Sequence, residues 1–294
     1  MKNRWVFWIV VPAVSILLLF AICVGVITVL IGDGDKLAGS DGVGLVELKG
    51  VIVDGQETIK QLNEMKKEKH IKAVVLRVDS PGGVVGPSQE ISAAVKGLAK
   101  VKKVVVSMGS VAASGGYYVS VPATLIYANP GTITGSIGVL MKFSNLEGLM
   151  DKVGMKAFTI KTGKFKDVGS PARSMTAEER EMLQGVIDST HAQFVRAVAE
   201  GRKLPVEQVR QIADGRIFSG EQALSLKLVD RIGTLQDAVA EAGRLGGIKG
   251  EPEVIRPRKK KNPALDLLIQ GAAEHLGMLA GSDNGVSVDY RLGW

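Results

Sequence analysis

The sequence predicts an α/β domain with a largely parallel sheet, preceded by one N-terminal transmembrane helix. Short apolar segments typical of buried strands alternate with segments whose apolar residues recur at helical spacing, which is the pattern of βαβ units. Two of the apolar segments end in glycine-rich turns, and the functional loops of parallel sheets lie at such strand ends. A stretch without charge, from Trp5 to Ile31, precedes the whole pattern.

The predicted elements alternate from the first strand onward. Strands are expected at six segments: 45–49, 73–79, 104–108, 124–128, 138–141 and 156–161. Helices are expected at 55–69, 87–100 and 145–153, and a long helix begins at Thr176, where Thr176 and Glu179 have the spacing of a capping box. Between 205 and 244 the pattern predicts three short helices and a short strand.

Residues 1–32 are expected to form a cytoplasmic stub and a transmembrane anchor. The apolar run is longer than the ~20 residues that a bilayer core requires. Lys2 and Arg4 precede the run while Asp33 and Asp35 follow it, so the positive-inside rule keeps the N-terminus in the cytoplasm and exports the rest. A cleaved secretory signal is the alternative, but the run exceeds a signal core of ~7–15 residues and no clear small-x-small site follows it.

Composition excludes two classes of function. Cys23 is the one cysteine and lies inside the apolar run, which leaves the exported part without a disulfide or a thiolate metal site. The formal net charge is +7, but five basic residues stand together between Arg256 and Lys261. This run contains no aromatic residue, so we interpret it as a solvated linker rather than a nucleic-acid site, with contact to anionic lipid as the alternative.

Three further boundaries complete the predicted organisation. A linker rich in glycine and aspartate is expected over 33–44, and the alternating α/β pattern places the main folded domain at 45–245. Residues 246–294, rich in Gly, Pro and charge at their start, are expected to form a basic linker and a C-terminal tail.

Ser114 is the candidate nucleophile. It lies where an apolar strand turns into a helix, and small residues surround it, namely Ala112, Ala113, Gly115 and Gly116. Such neighbours leave the hydroxyl uncrowded, so that the backbone of a substrate could approach it.

Gly83 and Gly115 are the candidate oxyanion-hole donors. Gly83 ends the turn Asp79-Ser-Pro-Gly82-Gly83, which closes a strand and can direct free N–H groups outward. In a parallel sheet this turn and the Ser114 turn lie at the same edge, so the two N–H groups could converge on one oxygen. An ordinary Pro-Gly turn is the alternative for this motif taken alone.

A serine nucleophile needs a base, and the sequence offers histidines and lysines. None of the histidines is well placed: His70, His191 and His275. Lysine accepts a proton only when neutral, and because the ordinary pKa is ~10.4, burial must lower it. Lys166 follows Phe165 in a polar loop that could fold over the site, and Lys161 and Lys164 in the same loop are weaker candidates.

Four motifs in a fixed order carry a resemblance to a known family. They are Asp79-Ser-Pro-Gly-Gly83, Gly109-Ser-Val-Ala-Ala-Ser114-Gly-Gly-Tyr-Tyr118, Thr134-Gly-Ser136-Ile-Gly-Val139 and Lys161-Thr-Gly-Lys-Phe-Lys166-Asp167. With them the chain, roughly from Val43 to Gly243, resembles the short form of SppA-type signal peptide peptidases. The resemblance implies a Clp-protease/crotonase-like fold of repeated ββα/βαβ units and a serine–lysine endopeptidase without metal or cofactor.

The resemblance also implies roles and partners. Ser114 is then the nucleophile, Lys166 the general base and Ser136 the residue that orients the lysine amine. It implies a homo-oligomeric ring or dome in which the serine of one subunit meets the lysine of its neighbour, held to membrane lipid by the N-terminal helix with the catalytic domain outside. Its substrates would be signal peptide remnants and similar apolar peptides. A crotonase-like enzyme that binds acyl-CoA and a catalytically silent membrane scaffold are the alternatives.

Overall fold

The computed structural model describes residues 41–257 of the chain. The predicted transmembrane helix lies outside these residues, as do most of the predicted linker at 33–44 and the tail from Arg258 onward. Within 41–257, no helix has both the length and the apolar character needed to cross a membrane.

Residues 41–257 form one eight-stranded sheet with the strand order β6-β5-β3-β2-β1-β8, in which β4 pairs with β3 and β7. The strands are β1 (Gly42–Lys49), β2 (Ile71–Ser80), β3 (Lys103–Ala113), β4 (Leu125–Ala128), β5 (Ile133–Gly135), β6 (Ile217–Phe218), β7 (Arg231–Ile232) and β8 (Glu253–Ile255). Every pair is parallel except β5 with β6. The predicted α/β fold with a largely parallel sheet is therefore confirmed.

Eight helices join these strands within the same residues. They are α1 (Gln56–Lys67), α2 (Val85–Ala99), α3 (Gly115–Ser120), α4 (Glu147–Lys152), α5 (Ala177–Arg202), α6 (Val206–Arg210), α7 (Gly220–Ser225) and α8 (Leu235–Leu245). The predicted capping box at the start of α5 is present, because Thr176 and Glu179 each accept the other's backbone N–H. The box satisfies two N–H groups that the first helical turn otherwise leaves without partners.

The sheet separates two hydrophobic cores. Successive side chains of a strand point to opposite faces, so on β2 Ala73 and Val75 join one core while Val74, Leu76 and Val78 join the other. The first core is covered by α8, and helices α1, α2, α3 and α5 contribute buried side chains to the second. Burial on both faces explains why the central strands are almost continuously apolar.

Strand β3 changes its neighbour halfway along its length. Residues 105–107 pair with β4, whereas residues 111–113 pair with β5. Between these halves its register with β2 shifts, since Val78 is opposite Met108 but Ser80 is already opposite Ala112. The second half of β3 leads directly into Ser114.

Several predicted boundaries and elements differ from the structure. The strands predicted at 138–141 and 156–161 are wrong, because neither segment pairs with another strand among the described residues and a strand is held by its neighbours. β5 and the short α3 were not predicted. β8 pairs with β1 in the segment expected to be linker, and β1 begins at Gly42, so the sheet exceeds the predicted limits of 45–245 at both ends.

Candidate active site

Ser114 joins β3 to α3 in a backbone conformation that serine rarely adopts. Its φ is 53° and its ψ is −118°, although positive φ is disfavoured for any residue with a side chain. Two hydrogen bonds hold it: its N–H donates to the Gly135 carbonyl and its carbonyl accepts from the Tyr118 N–H, both at 2.9 Å. Its hydroxyl does not cap the helix. A strained turn between strand and helix thus carries a hydroxyl that makes no hydrogen bond within residues 41–257, as expected of a candidate nucleophile.

The Pro-Gly-Gly turn packs directly against the Ser114 turn. Gly82 has a φ of +98°, and a methyl group on it would lie 2.6 Å from the Gly115 nitrogen and 2.9 Å from Ser114 Cβ. Gly83 is equally restricted, because a methyl group there would lie 2.1 Å from the carbonyl oxygen of Ile52. Only glycine allows this approach, so the sequence motif is a packing requirement at the point where the two loops meet.

The predicted oxyanion donors lie side by side. A methyl group on Gly115 would lie 3.3 Å from the Gly83 nitrogen, which puts the two glycines in contact. In residues 41–257, neither the Gly83 N–H nor the Gly115 N–H donates to a backbone or side-chain acceptor. Ile52 lies opposite Gly83, but its own hydrogen bonds go to Gly82 and Val84. Two adjacent, unused N–H donors beside a hydroxyl are what stabilisation of an oxyanion requires.

Ser136 lies on the opposite side of Ser114 from this turn. It directly follows β5, has a φ of 51°, and donates its N–H to the Arg216 carbonyl at 2.9 Å. Because β5 pairs with the second half of β3, Ser136 and Ser114 leave the sheet as neighbours.

One cavity of about 540 Å³ is lined by Ser114, Ser136 and the two candidate oxyanion donors, but not by Lys166. Its wall is formed by Pro81, Gly83, Val85, Ser88, Gln89, Ser114, Gly115, Tyr118, Ser136, Gly138, Val139, Leu140, Thr190, Phe194, Asp214 and Gly215. Small, aliphatic and aromatic side chains dominate, and the rings of Tyr118 and Phe194 meet edge to face with centroids 5.0 Å apart. The wall is therefore largely apolar, with a small number of polar side chains placed in it, as is usual for a binding cavity.

This wall includes no lysine or histidine. Asp214 is its one carboxylate, and hydrogen bonds from Arg216 lower the pKa of that carboxyl to about 2. A carboxylate of such low pKa is a poor base near neutral pH. The histidines within the described residues are engaged elsewhere: His70 lies beside Glu68, and His191 Nε2 is 2.7 Å from the Ala213 carbonyl. The described residues of one chain thus bring together the Ser114 hydroxyl and the Gly83 and Gly115 N–H groups without a lysine or histidine in the cavity wall.

Lys166 is exposed and does not line the cavity. The other two lysines of its loop are paired, Lys161 with Asp167 and Lys164 with Glu178. Within 41–257, Lys166 has no ion-pair partner. The residues that the structure brings to Ser114 are therefore Gly83, Gly115 and Ser136, whereas Lys166 stands apart in the same chain.

Two ion pairs anchor the Lys166 loop to the start of α5. The Arg173 guanidinium contacts both oxygens of Asp167, at 3.0 and 2.9 Å, and also bonds to Glu179 at 2.9 Å. Arg173, and after it Lys161, hold the pKa of Asp167 well below its ordinary value. Arg173 and then the Thr176 N–H lower the pKa of the buried Glu179 to about 2. The loop that carries Lys166 is thus fixed from both flanks.

Residues 139–160 form an arm with exposed apolar side chains. Phe158 and Ile160 are 89% and 98% exposed, and the arm also exposes Leu140, Met141, Phe143, Leu146, Leu149, Val153 and Met155. Both segments that were wrongly predicted as strands lie in or next to this arm. Large apolar side chains exposed in such number are typical of interaction surfaces.

Several cavity residues were not identified from the sequence. Ser88, Tyr118 and Phe194 belong to helices α2, α3 and α5, and their inward direction depends on how those helices pack. Helical spacing alone would class them as core residues, since side chains that line a cavity and side chains that fill a core recur at the same spacing.

Comparison with known proteins agrees with this arrangement. The model of peptidase family S49 matches residues 96–249, more than half of the chain. The chain is 44% identical over 241 residues to a candidate protease, slr0021, of Synechocystis sp., which covers 79% of this chain and 87% of that protein. It is 36% identical over 244 residues to a candidate signal peptide peptidase SppA of Enterococcus faecium, with 81% and 70% covered.

A plant relative covers less of its own length. The chain is 34% identical over 206 residues to the chloroplastic serine protease SPPA of Arabidopsis thaliana, which is 70% of this chain but 30% of that protein. The residues matched by the family model include Ser114, Ser136 and Lys166. The chain therefore belongs to peptidase family S49 and is an SppA-type peptidase.

Proposed function

We propose that this protein is a membrane-anchored serine endopeptidase with a Ser114–Lys166 dyad that hydrolyses cleaved signal peptides and similar apolar peptides. The observation that carries the proposal is the contact between the Pro-Gly-Gly turn and the Ser114 turn, where two N–H groups adjoin a hydroxyl and none of the three makes a hydrogen bond within residues 41–257. The assignment of the sheet to the Clp-protease/crotonase-like superfamily is part of the same proposal.

The base comes from a neighbouring subunit in this proposal. The wall of the cavity has no lysine, whereas Lys166 is exposed, free of ion pairs within 41–257, and located on a loop that Arg173 ties to the start of α5. The exposed arm at 139–160 adjoins the cavity through Val139 and Leu140, so a second copy that covers the arm also approaches Ser114. Burial of the ammonium group against apolar side chains would favour its neutral form, which is the form that can accept a proton.

The reaction then proceeds in two steps. Neutral Lys166 Nζ takes the proton of Ser114 Oγ as that oxygen attacks the scissile carbonyl, and the Gly83 and Gly115 N–H groups stabilise the oxyanion. The carbon–nitrogen bond breaks and Lys166 gives its proton to the leaving amine. Water attacks the resulting ester, Lys166 takes a proton from the water, and Ser114 leaves with that proton restored. Ser136 accepts or donates a hydrogen bond that orients the lysine amine.

The membrane setting follows from the sequence and the substrate. The charge-free run from Trp5 to Ile31 anchors the chain, with the N-terminus in the cytoplasm and the catalytic domain on the outer side. A ring or dome of subunits held there meets apolar peptides as they leave the bilayer. The apolar wall of the cavity supports this class of substrate.

Covalent labelling and point variants test the proposal. A fluorophosphonate should modify the full-length protein at Ser114, and Ser114→Ala should take up no label. Lys166→Ala should cleave an apolar peptide only at the background rate, while Lys164→Ala, the matched control from the same loop, should retain activity. Activity that survives in Ser114→Ala or Lys166→Ala would refute the dyad, and an unlabelled wild type would instead favour a crotonase-like or silent site.

Mixing the two inactive variants tests the shared site. Under conditions that let subunits exchange, Ser114→Ala and Lys166→Ala protomers should recover part of the activity, since some interfaces then join an intact serine to an intact lysine. No recovery, with exchange verified by differently tagged subunits, would place the dyad within one chain.

A further inference from the structure

One residue of β2 faces three residues of β3. Val78 is paired with Met108 and Ser80 with Ala112, so Asp79 alone stands opposite the bulge formed by Gly109, Ser110 and Val111. A bulge bends its strand and leaves backbone groups without ladder partners. This bend is the point at which β3 leaves β4 and joins β5 on its way to Ser114.

Side chains replace the missing ladder bonds at the bulge. The carbonyl oxygens of Met108, Gly109 and Ala112 accept hydrogen bonds from Arg77, Thr132 and Thr134, at 2.9, 2.7 and 2.7 Å. The N–H of Val111 donates to Asp79 Oδ1 at 3.1 Å. Buried backbone groups require such partners, so these side chains define where the bulge forms.

Gly109 makes room for the Asp79 carboxylate. A methyl group on Gly109 would lie 2.6 Å from Asp79 Cγ and 2.9 Å from Oδ1. No turn with positive φ requires glycine at this position. The reason for the small residue is therefore the close approach of the carboxylate to the backbone of β3.

Asp79 also begins the turn that carries the oxyanion donor. Its carbonyl accepts the Gly50 N–H at 2.9 Å, and the chain continues through Ser80 and Pro81 to Gly83. Its main chain thus leads to Gly83, while its side chain holds the part of β3 that leads to Ser114. Asp79 is thus connected to both turns, through its main chain to Gly83 and through its side chain to β3.

We propose that Asp79 is a positioning residue whose carboxylate oxygen holds the β3 bulge in the register that directs Ser114 towards the Gly83 and Gly115 N–H groups. This role rests on the proposed function of Ser114 as a nucleophile. The acceptor oxygen is what matters in this role, so asparagine should replace aspartate while alanine should not.

The test compares Asp79→Ala, Asp79→Asn and wild type in the full-length protein. Asp79→Ala should lower the rate of fluorophosphonate labelling and the kcat for peptide cleavage by about 10-fold to 100-fold, because a small misplacement of reacting groups has effects of that size. The KM should change by no more than about twofold, since the cavity wall is intact. Asp79→Asn should restore both rates, and hydrogen exchange of the Val111 N–H should be fast in Asp79→Ala alone.

Thr124→Val is the matched control. Thr124 Oγ1 accepts the N–H of Val104 at 3.1 Å, so this variant removes the same kind of bond from the far end of β3. It should lower the melting temperature without changing the labelling rate. If Asp79→Ala does not fold, Gly109→Ala serves in its place, because its methyl group displaces the carboxylate while every other side chain remains.

The outcomes separate this proposal from the proposed function. A wild type that takes up no label overturns both. A labelled wild type whose Asp79→Ala or folded Gly109→Ala variant reacts equally fast overturns the role of Asp79 alone. An Asp79→Asn variant as slow as Asp79→Ala shows that the charge acts rather than the acceptor oxygen, and it overturns the positioning role as stated.

Discussion

Ser114 and Ser136 occupy corresponding positions at the ends of two paired strands. Each directly follows one member of the pair Ala113 and Gly135, and the Ser114 N–H donates to the Gly135 carbonyl at 2.9 Å. Both serines have positive φ, 53° and 51°, which is uncommon for residues other than glycine. The result is two hydroxyl-bearing residues on the wall of one cavity.

Removal of the Ser136 hydroxyl should slow catalysis without loss of the fold. Glycine adopts a φ of 51° without strain, so Ser136→Gly removes the hydroxyl alone. If Ser136 orients the lysine amine, kcat should fall about 10-fold to 100-fold, as expected for one hydrogen bond to an amine that becomes charged as it takes the proton. The kcat of Ser136→Gly and of wild type is measured by steady-state cleavage of an apolar peptide. Thr190→Val, which removes another hydroxyl from the cavity wall, is the control, and an unchanged kcat in Ser136→Gly would contradict the role.

A methyl group should be tolerated at one glycine of the Asp79–Gly86 segment and not at another. Gly82→Ala should abolish labelling of Ser114 and lower the melting temperature, because its φ is +98° and its methyl group would lie 2.6 Å from the Gly115 nitrogen. Gly86 lies on α2, and a methyl group on it would have no heavy atom within 4 Å. Gly86→Ala should therefore stabilise that helix by up to about 1 kcal/mol. Thermal unfolding and labelling of both variants test this, and an active Gly82→Ala would rule out close contact of the two turns.

Phe194 should limit the size of the side chain that the cavity accepts. It is buried against Tyr118 at the cavity wall, so Phe194→Leu enlarges the site at a cost of about 1–3 kcal/mol in stability. The ratio of kcat/KM for peptides with a bulky and a small residue at the scissile bond should rise. Val198→Ala destabilises the same helix by a similar amount without touching the cavity and should leave the ratio unchanged. An unchanged ratio in Phe194→Leu would exclude this part of the wall from substrate selection.

Glu179 should contribute to stability at neutral pH and lose that contribution in acid. Hydrogen bonds from Arg173 and Thr176 lower its pKa in the folded protein to about 2, from the ordinary 4.5. A lowered folded-state pKa means that the contribution is complete above pH 4.5 and disappears as the pH falls towards 2. The melting temperatures of wild type and Glu179→Gln should therefore differ most at neutral pH and converge near pH 2.

Glu178→Gln provides the control for this titration. Glu178 pairs with Lys164 on the surface, and exposed pairs contribute little to stability. Its melting temperature should follow that of the wild type throughout. A Glu179→Gln variant that also followed the wild type would contradict the anchoring of the Lys166 loop by Arg173.

Local patterns in the sequence were sufficient for most of the central sheet and for its turns. The predicted strands at 45–49, 73–79 and 104–108 lie within β1, β2 and β3, because strands buried on both faces are continuously apolar. The glycine-rich turns were recognisable for a similar reason, since positive φ and close backbone approach demand glycine. The structure brings the predicted Gly83, Gly115 and Ser136 to Ser114.

Patterns failed where pairing between distant segments decides the structure. β5 and β8 have three residues each, and they are strands because their backbones pair with β3 and β1, respectively. The segments at 138–141 and 156–161 have strand-like composition but pair with no strand among the described residues. Their apolar side chains are exposed in the arm at 139–160 instead.

The sequence by itself determined the candidate residues for the proposed chemistry: a serine among small residues, two glycines in tight turns, and a lysine in a polar loop. Only the tertiary structure decided how they meet, through the shift in register opposite Asp79, the change of β3 from one neighbour to another, and the separation of Lys166 from the cavity of its own chain. The physical reason is that turn chemistry and burial are local properties of a chain, whereas register depends on hydrogen bonds between residues far apart in sequence.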